Sequence, residues 1–128
     1  MDIALRKQHG SFSWNELMTR DVSGAKAFYS ELFGWTLEDL PDTSVNYTMI
    51  KAGDEQVGGL MPMPEEVANI TPGWGSYVTV DNVDKCTVKA VQLGAKVLHQ
   101  PSDIPNVGRY AIIADPQGAM LALITYTN

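Results

Sequence analysis

Trp14–Gly34, WNELMTRDVSGAKAFYSELFG, is answered sixty residues later by Trp74–Gly94, WGSYVTVDNVDKCTVKAVQLG. Aligned without gaps, the two stretches share Trp14/Trp74, Thr19/Thr79, Asp21/Asp81 and Gly34/Gly94, four identities in 21 positions. The shared pattern says more than the identities. Each stretch is an alternating run, an acidic turn, a segment of helical period and a closing glycine, and a repeat at fixed spacing sets the architecture. A second register, offset by 61, superposes the turns RDVS and DNVD better; it pairs Trp14 with Gly75 and Glu16 with Tyr77.

Working outward, Ser11–Thr19 alternates as a strand, with Phe12, Trp14, Glu16 and Met18 on one face. Asp21 or Ser23 caps a helix whose Ala25, Phe28, Tyr29 and Leu32 form an apolar stripe, and Gly34 ends it. Strands follow at Trp35–Asp39, Tyr47–Lys51 and Gln56–Met61, separated by the turns LPDTS and AGDE. Gly58-Gly59 in the last of these marks exposed backbone or a close approach. The proline-rich 63–73 stretch reads as a linker, with a helical turn over Glu65–Asn69. The second half repeats the course. Its strands are Trp74–Val80, Lys96–His99, Arg109–Ala114 and Ala119–Tyr126; QPSDIPNVG and DPQG are turns. Its helix starts at Asp81 or Asn82 and buries Val83, Cys86 or Thr87, Ala90 and Leu93. Residues 1–10 show no period and read as a mobile or peripheral terminus. The whole chain, 1–128, is one α+β domain of two βαβββ modules, 11–62 and 74–126, with mixed sheets curled and helices outside. A module of about 60 residues buries too little alone, so the two are expected to associate through their open sheet faces.

A net charge of −6 argues against nucleic acid or an anionic membrane as partner, both of which need a basic surface. No apolar run approaches the roughly 20 residues of a membrane span, and the N-terminus lacks a signal-peptide core. Cys86, the single cysteine, has no intramolecular partner, which fits a reducing cytoplasm.

The paired modules, the helix ending FYSELFGW and the segment GRYAIIADPQGAMLAL resemble the vicinal oxygen chelate superfamily: glyoxalase I, bleomycin-resistance proteins and extradiol dioxygenases. The resemblance spans about residues 11–126 and is nearest to glyoxalase-like proteins, some of them described as hydroxylases. Such motifs define the fold and do not name the reaction. In metal-dependent members, four strand positions supply His, Glu or Gln to one divalent ion. The resemblance puts those positions at Trp14, Gly59 or Leu60, Gly75 or Trp74, and Ala122. None has a donor side chain, so no metal and no cofactor are expected there, in either repeat register. Family habit implies a homodimer.

Glu16 is the candidate catalytic residue: its strand parity aims it at the cleft, where a carboxylate could serve as a base or ligand anchor. The alternative is an ion pair with Arg109 or another cation. Trp14 and Tyr77 are candidate ligand walls, with Trp74 weighed beside them, against the plainer role of core packing. Arg109 could fork a carboxylate or phosphate, or make a structural salt bridge. Tyr47 and Tyr110 could bond a ligand or fill space, and the methionines Met49, Met61, Met63 and Met120 could line a pocket or the core. His9, Glu16 and His99 are the remaining residues from which a displaced metal site could be built, without support from spacing. Cys86 reads as an inert buried thiol. The reading is a glyoxalase-like protein binding a small, partly apolar or aromatic molecule without the family metal, with Trp14, Glu16, Tyr77 and Arg109 as ligand-binding residues. Two alternatives stand beside it: a lyase or dioxygenase with displaced metal ligands, and a scaffold without a small-molecule role.

Overall fold

The computed structural model describes residues 7–41, 46–65, 69, 71–105 and 107–127. The elements run β1 (Phe12–Thr19), α1 (Val22–Phe33), β2 (Thr36–Asp39), β3 (Thr48–Ala52), β4 (Glu55–Pro62), β5 (Gly73–Thr79), α2 (Val83–Gln92), β6 (Lys96–Ile104), β7 (Gly108–Ala114) and β8 (Met120–Tyr126). They group into two compact units, one of Trp14–Trp74 and the other of Gly75 onward together with the chain up to Ser13. The turn within LPDTS and the helical turn over Glu65–Asn69 fall largely outside the described residues.

In the first unit the strand order is β2-β3-β4-β1, and in the second β5-β8-β7-β6. Each sheet has one parallel pair, β1 with β4 and β5 with β8, and is otherwise antiparallel. The parallel pair follows from the path of the chain: β2, after the helix, takes the far edge, and two antiparallel steps through β3 bring β4 back beside β1 in the same direction. Each unit is therefore a β-α-β-β-β module, and the fold is α+β.

Register settles the repeat. Glu16 pairs with Gly59 and Tyr77 with Ala122, so Glu16 and Tyr77 are equivalent. The helix caps agree: the Asp21 carboxylate accepts from Gly24 N–H and the Asn82 amide oxygen from Lys85 N–H. Both comparisons give an offset of 61. Only the closing glycines Gly34 (φ 70°) and Gly94 (φ 103°) keep the offset of 60, because α2 is shorter than α1. Pairing Asp21 with Asp81 is thus corrected; the turn acid Asp81 precedes the cap.

Helix α1 faces its sheet differently from the predicted stripe. Val22, Ala25 and Tyr29 pack over Leu17, Ile50 and Leu60, while Phe28 and Leu32 are 58% and 57% exposed. Val22, Ala25 and Tyr29 hold one face at spacings of three and four, and Phe28 lies one residue, about 100°, around the helix. In α2, Val83, Cys86 and Ala90 pack over Ala111, Ile113 and Leu123, and the buried Thr87 hydroxyl donates to the Val83 carbonyl. Leu93, expected inside, lies past the last helical turn and is 69% exposed.

Two further expectations change. Strand β6 runs through Gln100-Pro101-Ser102 rather than turning, with register shifts between Val97 and His99 and between His99 and Ser102. It is the last strand in its sheet's order, and irregular pairing there accommodates a proline that has no N–H to donate. The N-terminal stretch is tied down where it is described. Gly10 N–H donates to the Thr79 carbonyl, Thr79 N–H to Ser11, and Asp81 N–H to His9 Nδ1.

Candidate functional site

In the first unit, strand alternation sends Leu17 under α1 and its neighbours Glu16 and Met18 to the opposite face. Trp14 shares the parity of Glu16. On that face Trp14 Nε1–H donates to the Tyr47 hydroxyl at 2.7 Å, and the Tyr47 hydroxyl donates to Glu16 Oε2 at 3.0 Å. Glu16 is 2% exposed, whereas Trp14 and Tyr47 are half-buried. A buried carboxylate requires hydrogen-bond donors, and the phenol is one of them. The sequence left open an ion pair between Glu16 and Arg109 or another cation; one partner of the carboxylate is a tyrosine.

Gly59 makes room for this chain of bonds. It lies beside Glu16 across the β1–β4 pair and beside Met49 across β3–β4, and a Cβ there would overlap the Tyr47 phenol. Gly58 serves the other face, where a Cβ would stand 2.6 Å from the Asn15 carbonyl oxygen. The close approach read from Gly58-Gly59 is therefore real at both residues. Sequence reasoning gave Tyr47 only a minor part. The available signal was the side-chain-free Gly59 next to an inward carboxylate, a gap that a long polar ring can fill.

The other candidates lie in the second unit. Tyr77 is 3% exposed and points away from α2, since its neighbour Val78 packs beneath that helix. Arg109 has the parity of Ala111 and Ile113, on the helix-bearing face. Its Nε and Nη2 donate to the two Asp84 oxygens at 2.8 and 3.0 Å, and Nη1 donates to Asp103 at 3.0 Å. Those bonds hold the Asp84 carboxyl below its ordinary range and push the guanidinium further up. Tyr77 and Arg109 thus stand on opposite faces of one sheet, and the salt-bridge alternative describes what Arg109 does here. Burial pushes the Cys86 thiol up, with nearby Lys89 opposing. His99 stacks on Tyr110, with ring centroids 4.7 Å apart.

A metal does not fit the family positions. The Trp14 indole N–H can only donate, Gly59 and Ala122 bring no donor atom, and the space at Gly59 holds a phenol already bonded to Glu16. Among the described residues no three His, Cys, Asp or Glu side chains gather to hold an ion. None of the described helices is long and apolar enough to cross a membrane.

"Putative glyoxylase CFP32" of Mycobacterium tuberculosis is 39% identical over 94% of this chain and 46% of its own length. "Anthracycline biosynthesis protein DnrV" of Streptomyces peucetius is 29% identical over 89% of this chain and 46% of its own. The chain thus spans about half the length of the curated relatives it matches. Methylmalonyl-CoA epimerase from Mycobacterium tuberculosis has the same fold, with a TM-score of 0.62 at 15% identity over 96% of this chain and 95% of that one. The profile of the Glyoxalase/Bleomycin resistance protein/Dioxygenase superfamily matches residues 11–123, and the chain belongs to that superfamily.

Proposed function

We propose that this chain is a glyoxalase-like small-molecule-binding protein that works without the family's divalent ion, taking a small, partly apolar or aromatic ligand against Glu16, Tyr47 and Trp14. The observation that carries the reading is the bonded chain from the Trp14 indole through the Tyr47 hydroxyl to the Glu16 carboxylate. The bonds orient the phenol so that its oxygen, midway between Trp14 and Glu16 on a half-buried residue, can meet a ligand hydroxyl or carbonyl. A ligand O–H that replaces Tyr47 as donor would reach a carboxylate able to anchor it or accept its proton. The half-buried Trp14 ring offers a flat apolar surface for stacking. The relative named for anthracycline biosynthesis supports an aromatic ligand, and the glyoxylase name supports carbonyl chemistry. The acidic charge and single cysteine support a cytoplasmic setting, and family habit supports a homodimer.

A thermal-shift screen of hydroxylated aromatic and α-dicarbonyl compounds, followed by calorimetry, tests the reading. A hit whose affinity is unchanged in Trp14→Ala and Glu16→Gln would sink it. The second reading is a lyase or dioxygenase with displaced metal ligands, favoured by the family name alone. Elemental analysis of protein prepared without chelator separates the two: one equivalent of Ni, Zn, Fe or Mn selects the metal enzyme.

A further inference from the structure

The helix-bearing face of the first unit carries a pocket that the Glu16 face does not use. Its volume is about 440 Å³, within the range of about 300–1,000 Å³ usual for small-molecule sites. Tyr29, Phe33, Trp35 and Trp74 wall it, over a floor that includes Ile50 and Val57. The walls are ordered against one another. Tyr29 and Trp35 are stacked at 5.7 Å and 23°, and Trp74 stands edge-on to both, at 81° and 78°. Trp74 Nε1–H donates to the Tyr29 hydroxyl at 3.2 Å, which fixes the indole although the residue is 44% exposed. Asn15 also lines the pocket, while its neighbours Trp14 and Glu16 point to the other side of the sheet. Two faces of one strand therefore serve two separate places.

Among the described residues no charged side chain lines this pocket, so a charged guest would lose its hydration without gaining a counter-charge. Flat aromatic guests instead gain offset-stacked and edge contacts with rings already held in place. Polar groups among the lining residues, the Tyr29 hydroxyl and the Asn15 amide, have more than one hydrogen-bonding position each and suit a guest with one hydroxyl or carbonyl. We propose that this pocket is a second binding site, taking an uncharged, flat, fused-ring aromatic molecule that bears a hydroxyl or carbonyl group. The site is independent of the Glu16 reading, since the two lie on opposite faces of the sheet.

The test titrates 2-naphthol into the full chain and follows the indole N–H resonances of Trp14, Trp35 and Trp74 by NMR. Saturable shifts of Trp35 and Trp74 are the expected result, whether or not the Glu16 face also takes the probe and moves Trp14. Trp74→Leu removes a wall and Val57→Phe fills the floor; each should weaken binding at least about tenfold, with folding checked by near-UV circular dichroism. Three results would overturn the proposal: no saturable shift up to the probe's solubility, a shift confined to Trp14, or an affinity untouched by both pocket variants. So would Trp35 and Trp74 shifts that follow protein concentration without probe and vanish in Phe28→Ser, because a second copy of the chain would then cover this face.

Discussion

Replacing Gly59 by alanine tests the central arrangement most directly, because the added methyl group competes for the space of one identifiable side chain. The Gly59 backbone lies outside the left-handed region, so alanine is conformationally acceptable there. What it cannot share is the position of the Tyr47 phenol. The phenol is the far end of a rotatable side chain and will swing away before the backbone yields. The loss is then two hydrogen bonds, one from the Trp14 indole and one to the buried Glu16 carboxylate. A neutral bond contributes about 1 kcal/mol and one to a charged group about 1.5–3, so Gly59→Ala should destabilise by about 2.5–4 kcal/mol. In a Tyr47→Ala background the obstacle is gone and the sign should reverse. There the same substitution should stabilise by about 0.5–1 kcal/mol, the usual advantage of alanine over glycine in a strand. Urea denaturation of the four proteins in the cycle measures the coupling. If Gly59→Ala costs the same in both backgrounds, the glycine is not there to seat Tyr47 and the reasoning fails.

Three other outcomes are expected. Glu16→Gln keeps an acceptor for Tyr47 but removes the charge, so the chain should stay folded while calorimetry shows weaker binding of any ligand from the screen; unchanged binding would remove Glu16 from the site. Arg109 holds the Asp84 carboxyl below its ordinary value of 3.8, mainly through hydrogen bonds. With the folded value depressed, the stabilisation is full above pH 3.8 and is lost as pH falls through the folded value, so the melting-temperature gap between the wild type and Arg109→Gln should close in strong acid. Because the guanidinium and the Asp84 side chain are 38% and 57% exposed, the gap should be small and shrink with salt; a gap that persists in acid would refute the assignment. The Cys86 thiol, raised by burial, should react with Ellman's reagent at pH 8 at least about tenfold more slowly in the folded than in the unfolded chain, and equal rates would contradict its placement on the sheet-facing side of α2.

The order of elements was legible in the chain because it rests on local physics: alternation in Phe12–Thr19, side-chain caps at Asp21 and Asn82, and left-handed glycines at Gly34 and Gly94. The missing donors at Trp14, Gly59 and Ala122 were legible too, since a side chain without a lone pair to offer cannot acquire one by folding. Which residues meet was another matter. Periodicity put Phe28 and Leu32 under the sheet, but helix rotation is chosen by the surface below, and that surface selected Val22, Ala25 and Tyr29. Parity put Glu16 on the face away from α1, yet only strand pairing could bring Tyr47, 31 residues away, to its carboxylate. It also took pairing to place Arg109 on the face of Asp84 rather than that of Tyr77. Composition and local period act within a few residues, whereas a site is assembled by sheet register, which depends on all four strands of a unit at once.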